Sequence, residues 1–275
     1  MPDLSRSRMP RQVRVHLRDP LAEMAAYNRL LQRVVIGAMR RQVAAHLIPA
    51  LLAAGARDGL CDALSEYDIT RIINDMQITI GNVVDSPELR DQIRAAWGKV
   101  DLFNLHEQKN LIEQVVAAHR LPISIPAINV FAQNPYLTIA REEFVSRNVA
   151  LIKSLPADTF GQIEQTIKAG IDQGKRASTI ATDLQERLDV SASRARLIAR
   201  DQVLKHNGEL SSVRQQAAGI THFTWYTSLD QRVRPSHKAL QGQVYAWAEP
   251  PTVDGETAVP GQPIQCRCNA IPFFG

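Results

Sequence analysis

Only three cysteines occur in 275 residues, Cys61, Cys266 and Cys268. They are too few for a disulfide framework, and the last two are too close in sequence for an ordinary bridge, so a reducing compartment is expected. Aromatic residues make up 5% of the chain. Tyr27 is the sole aromatic before residue 42, which leaves no base-stacking platform for single strands in that stretch. Long apolar runs are also missing: the most apolar stretch, Val43 to Ala54, is interrupted by His46 and Pro49, so neither a signal peptide nor a transmembrane helix is expected. There is no GxxxxGK[ST] loop, no GxGxxG after a strand, no HExxH and no GxSxG, which removes the common nucleotide-binding and hydrolase signatures.

What is present is the composition of a folded globular chain, 45% hydrophobic and 22% charged. Its formal charge of +4 is unevenly placed. Residues 1–41 hold nine arginines against Asp3, Asp19 and Glu23, a net +6, so the remainder sums to −2. An N-terminal basic arm over 1–20 follows, with Arg6, Arg8, Arg11, Arg14 and Arg18 as candidate contacts to DNA phosphates. Such contacts release counterions and are salt-sensitive; the alternative is a solvated tail.

Helical periodicity dominates the first 218 residues. Met24, Tyr27, Leu30, Leu31, Val34, Val35 and Ala38 recur at three- and four-residue spacing, and Pro49 is expected to bend or break that helix before Leu52. Ile69, Ile72, Ile73, Met76 and Ile80 mark a second helix ending near Asp85, with Ser86 as a cap, Pro87 in the first turn of a third, and Gly98 as a candidate interruption of that third helix. A helical domain over 21–120 is therefore expected. Pro122, Pro126 and Pro135, among Ile123, Ile125, Ile128 and Val130, suit an extended linker over 121–136. Four helical segments are expected beyond it, at 137–155, 157–172, 177–188 and 191–218, with Gly174 and Gly219 as C-terminal caps and Ser191 as an N-cap. After Gly219 the period becomes alternating: strands are expected at Ile220–Tyr226, Gln243–Trp247 and Ile264–Ile271, with a turn at Leu229–Gln231 and a loop from Glu249 to Pro263. The fold class is thus mainly α with a small C-terminal α+β module, a helical region followed by a short antiparallel sheet over 220–275.

Two groups of residues could carry chemistry. Arg196, Arg200, Asp201 and Lys205 give the last long helix a polar face, a candidate docking surface for a partner or alternatively a set of internal salt bridges. The tail brings together Asp230, Arg232, Arg234, His237, Cys266 and Cys268. A histidine and two thiolates supply three ligands of a tetrahedral zinc site, but a fourth is not present at motif spacing; Asp230 and Asp254 are the candidates for it. No cofactor is expected on this count, with zinc as the alternative. An enzyme reading would make His237 a general base oriented by Asp230, with Arg232 or Arg234 holding an anion.

Asn148-Val149-Ala150-Leu151-Ile152, Ile198-Ala199-Arg200-Asp201-Gln202-Val203, Gly219 with Trp225, Asp230 to His237, Leu240-Gln241-Gly242 and Cys266-Arg267-Cys268 occur in this order. The ordered set, from about 140 to 272, resembles the phage Mu F-like minor head protein family, also called the phage head morphogenesis domain. That resemblance implies a head-morphogenesis domain over 137–275 in a low-copy, non-enzymatic structural protein of a tailed phage or prophage. It further implies assembly in the host cytoplasm, a place in the virion head interior near the portal, and aid to head assembly and DNA packaging or ejection. Implied partners are the portal protein, a major capsid or scaffolding protein, and packaged double-stranded DNA, with no membrane. Members that carry Cys-x-x-Cys where Arg234 and His237 stand, and a histidine where Pro263 stands, could complete a zinc tetrahedron. This chain keeps His237, Cys266 and Cys268, and the cluster then serves as a hydrogen-bonded clasp or as a metal site. The alternative is an enzyme or nucleic-acid-processing factor using Asp230, Arg232, Arg234 and His237.

Overall fold

A computed structural model describes residues 15, 17–55, 64–120 and 135–274. Arg6, Arg8, Arg11, Arg14, Cys61 and nearly all of the expected 121–136 linker lie outside the described residues.

Leu21 to Ala54 is helical throughout, in five segments: α1 (Leu21–Leu31), a π-helical turn (Gln32–Ile36), α2 (Gly37–Gln42), a second π-helical turn (Val43–Leu47) and α3 (Ile48–Ala54). Of the bend or break expected at Pro49, the break does not occur. Pro49 sits in the first turn of α3, directly after the second π turn, where the widened turn relieves the clash of the ring with the preceding backbone. In α4 (Glu66–Asp85), Ser65 accepts the Asp68 N–H at 3.1 Å, and Ile69, Ile73, Met76, Ile80 and Val84 form the buried stripe. α5 (Pro87–His119) begins as expected, with Ser86 Oγ accepting the Leu89 N–H at 3.2 Å. It runs through Gly98 without interruption.

The four helices expected after residue 136 are two: α6 (Pro135–Asp172) and α7 (Ala177–Ala217). Pro156 lies inside α6, flanked by Ser154 and Thr159 hydroxyls that donate to the Leu151 and Leu155 carbonyls at 2.8 and 2.6 Å. Ser191 caps nothing. Its hydroxyl lies 3.0 Å from the Arg187 carbonyl and 2.7 Å from the Thr159 hydroxyl, so a residue with N-cap chemistry is absorbed into the interior of α7. The glycine caps behave as expected: Gly174 and Gly219 take φ of 64° and 78°. The paired bonds Lys175 N–H to Gly170 O and Gly174 N–H to Ile171 O close α6, and Ile220 to Gln215 with Gly219 to Gln216 close α7.

The tail holds β1 (His222–Tyr226), a short helix α8 (Pro235–Ala239), β2 (Val244–Ala246), a small hairpin of β3 (Thr252–Val253) and β4 (Glu256–Thr257), and β5 (Asn269–Phe273). The sheet is antiparallel in the order β2-β1-β5, with Thr224 opposite Val244 and Ile271. The third strand starts at Asn269 rather than Ile264, because Gln265 takes φ 55° and the chain turns through Cys266 to Cys268 first. The region expected as plain loop contains the β3-β4 hairpin. Its turn, Asp254-Gly255, has φ of 55° and 87°, the signature of a two-residue hairpin loop.

Two compact units make up the chain: one from 1–24, 95–144 and 200–275, the other from 25–94 and 145–199. Each draws on residues from both sides of the 121–136 stretch, since α5, α6 and α7 contribute to both units. In the second unit, the fully buried Tyr27 donates to Asn148 Oδ1 at 3.2 Å. In the first, the faces of the sheet divide the work. Phe223, Trp225 and Ala270 face the tail core with Trp247, Val253, Val259 and both cysteines, while Ile271 packs on Leu111 and Val115 of α5. A polar seam ties α5 to α7: Arg214, 1% exposed, bonds Asp101 at 2.6 Å and also Asn104, and Asn104 Nδ2 donates to Ser211 Oγ at 2.9 Å.

Candidate functional site

The tail core brings His237, Cys266 and Cys268 together. Pro235 opens α8 and sets its first turn, which places His237 two residues later on the buried side. The Cys266–Cys268 turn precedes β5, with the Cys266 N–H bonded to the Pro263 carbonyl at 3.0 Å. His237 is 2% exposed, Cys266 3% and Cys268 7%. The ring Nδ1 stands 3.4 Å from Cys268 Sγ and 3.5 Å from Cys266 Sγ, and Trp225 lies edge-on to the ring at 5.8 Å.

The other ring nitrogen, Nε2, faces Asp254 Oδ2 at 3.0 Å and Arg234 Nη2 at 2.8 Å. Asp254 is itself held by the Ser236 hydroxyl at 2.6 Å and by Arg234 Nη1 at 3.1 Å. The hydrogen bonds of Ser236 and His237 keep its carboxyl below the usual range. The two sulfurs behave as a pair. Cys266 is drawn down to about 6, first by a hydrogen bond from Cys268 and then by backbone N–H groups, against burial. Cys268 is pushed up by donating that bond and by burial.

Asp230, expected to orient His237, does something else. It accepts the Arg232 backbone N–H at 3.0 Å and pairs with Arg267 at 2.5 Å, and that pairing holds its carboxyl below the ordinary value. Asp254 is the residue that orients the ring. The local signal for it was the Asp-Gly pair in a stretch rich in proline and glycine, which reads as a hairpin turn once flanking short strands are allowed. Arg232 and Arg234 are on the exposed side of the cluster. A cysteine nucleophile needs access as well as a basic partner, and here both sulfurs are packed among Phe223, Trp225 and Trp247.

The helical face expected for docking is unevenly used. Arg196 is exposed and belongs to the second unit; Arg200, Asp201 and Lys205 belong to the first. Asp201 is 9% exposed, accepts the Gln265 backbone N–H at 2.6 Å and pairs with Lys205 at 2.9 Å, so it anchors the turn that leads into Cys266. Seven residues beyond Asp201 on the same helix, Gly208 lets the tail approach: a side chain there would meet the Pro260 carbonyl at 2.6 Å. Arg18, the one described residue of the five arm arginines, bonds Glu107 at 2.5 Å. Nearby, Leu17, Asp19, Leu21, Tyr226, Leu229 and Arg267 line a cleft of about 560 Å³, where burial raises the Asp19 carboxyl and Arg267 and Arg200 pull it back.

Residues 161–271 match the family model described as Phage Mu protein F like protein. The match runs from within α6 through α7 to β5 and takes in the whole His237 cluster, so over this stretch the chain carries a Phage Mu F-like segment, as the order of its motifs implies. An uncharacterized protein of Haemophilus influenzae is 32% identical over 141 residues, which is 51% of this chain and 31% of that protein. An uncharacterized protein of Methanocaldococcus jannaschii is 30% identical over 112 residues, 40% of this chain and 17% of that one. The chain therefore aligns with a third or less of the length of these curated relatives. No solved structure matches it.

Proposed function

We propose that this chain is a minor head protein of a tailed phage or prophage, a low-copy structural component that aids head assembly in the host cytoplasm and resides inside the head near the portal. The observation that carries the reading is the Phage Mu F-like match over 161–271, which takes in all of α7 and the tail as far as β5. The architecture suits such a role. Long helices present extended surfaces, the tail is clasped by buried hydrogen bonds, and no described helix is long and apolar enough to cross a membrane.

The portal protein is the principal proposed partner, with a major capsid or scaffolding protein beside it. Arg196 and Arg200 are the cations of the α7 face least committed to internal pairs, and the Leu21–Leu229 cleft offers a mixed apolar and charged surface. Arg6, Arg8, Arg11 and Arg14 are proposed contacts to packaged DNA, in support of packaging or ejection. Co-expression of the full chain with the portal protein encoded in the same phage, followed by sedimentation after a high-salt wash, tests the principal claim. Co-sedimentation is expected, and a folded chain that stays at the top of the gradient rejects portal association.

A further inference from the structure

The ligand geometry in the tail goes beyond an assembly role. We propose that His237 Nδ1, Cys266 Sγ and Cys268 Sγ bind a thiophilic divalent cation, zinc, with its fourth position filled by water or another exogenous donor.

Three independent features carry this. The first is spacing. Zinc lies about 2.3 Å from sulfur and about 2.0 Å from nitrogen, so neighbouring nitrogen and sulfur ligands of a tetrahedral site stand roughly 3.5 Å apart. The observed separations from Nδ1 are 3.4 and 3.5 Å, and all three ligand atoms lie within 4.8 Å of one another.

The second is the outer partner of the histidine. Metal-bound imidazoles commonly donate their other N–H to a carboxylate, which fixes the tautomer and turns the free lone pair to the metal. Asp254 Oδ2 occupies that place at 3.0 Å from Nε2, and is held there by Ser236 and Arg234. Nε2 cannot both donate to Asp254 and accept from Arg234. When it donates, the Nδ1 lone pair points at the sulfurs. Arg234 then serves by pairing with Asp254 alone.

The third is charge and softness. Two thiolates and a neutral imidazole balance a divalent cation, and a neutral centre is what a site packed among Phe223, Trp225 and Trp247 requires. Sulfur and imidazole donors select zinc over magnesium or calcium. Among the described residues no fourth cysteine, histidine or carboxylate joins the set. Asp254, a candidate for that position on sequence, is engaged at Nε2 instead.

The test is a titration of the reduced, chelator-stripped full chain with cobalt(II) alone. Saturation at a single cobalt per chain is expected, with a near-ultraviolet sulfur-to-cobalt charge-transfer band, the visible bands of a tetrahedral ion, and bleaching by zinc. Cys61→Ser should keep the bands, Cys268→Ser should lose the charge transfer, and Asp254→Asn should keep the spectrum with affinity weaker by about 10- to 100-fold. A folded wild-type chain with no charge-transfer band overturns the proposal even if a variant misfolds. So does a band that survives in Cys266→Ser and Cys268→Ser but disappears in Cys61→Ser. Either failure leaves the head-protein reading standing, because that rests on the match over 161–271 and not on a metal.

Discussion

Asp254 Oδ2 lies 3.0 Å from His237 Nε2, on the side of the ring opposite the nitrogen that faces the two cysteine sulfurs. This contact joins the β3-β4 hairpin to α8, alongside the bonds that Ser236 and Arg234 make to the same carboxylate. With its carboxyl held below the ordinary value of 3.8, Asp254 contributes stability that is complete above the usual carboxylate range. That contribution is lost as pH falls through the lowered value. Acid unfolding of the wild type should therefore include a loss in that window that is missing in Asp254→Asn, and equal acid sensitivity of the two proteins in urea titrations at several pH values would contradict the clasp.

How much of this was legible beforehand differs by element. The buried stripe of α4, the Ser86 cap and the Gly174 and Gly219 stops follow from spacing and local chemistry, and they stand where expected. Pro49, Pro156 and Ser191 misled because each carries a breaker or cap signal that tertiary packing overrides: a π turn accommodates the first, and hydroxyl bonds to carbonyls surround the other two. The Asp230 to Cys268 cluster was recognisable as a group. Its partners were not, since the choice between Asp230 and Asp254 depends on a two-residue hairpin that periodicity does not register.

Gly208 and Gly98 make a controlled pair. At Gly208 a methyl group meets backbone, the Pro260 carbonyl at 2.6 Å, whereas at Gly98 nothing lies within 4 Å. Gly208→Ala is expected to destabilise the chain by about 1–3 kcal/mol. Gly98→Ala is expected to stabilise it by about 0.5–1 kcal/mol, as for glycine in a helix interior. Denaturant midpoints of the two variants measure both, and opposite signs are the expected result.

The Arg214–Asp101 pair is a buried contact that is costly to break. Arg214 is 1% exposed and its charge is met by Asp101 at 2.6 Å. Removing the carboxylate in Asp101→Ala leaves a buried cation, a loss of about 3–5 kcal/mol. Replacing both partners with apolar residues of similar volume should cost less than Asp101→Ala alone, and a double-mutant cycle checks this.

Binding of double-stranded DNA, if the arm supplies it, should weaken steeply as salt rises. Deleting 1–14 removes Arg6, Arg8, Arg11 and Arg14 and stops short of Val15, which packs against Leu111 and Ile271. Fluorescence anisotropy should show most of the affinity and most of the salt slope gone in the truncated chain, with its melting temperature little changed. A slope that survives the deletion would move DNA binding elsewhere.

The most direct measurement of where the chain ends up is its amount in purified, DNA-filled heads of the phage that encodes it. Quantitative mass spectrometry of gradient-purified particles should find it at low copy relative to the major capsid protein, and shielded from added protease until the heads are opened. Full heads that lack the chain while it accumulates in the soluble fraction of the same lysate would contradict the account.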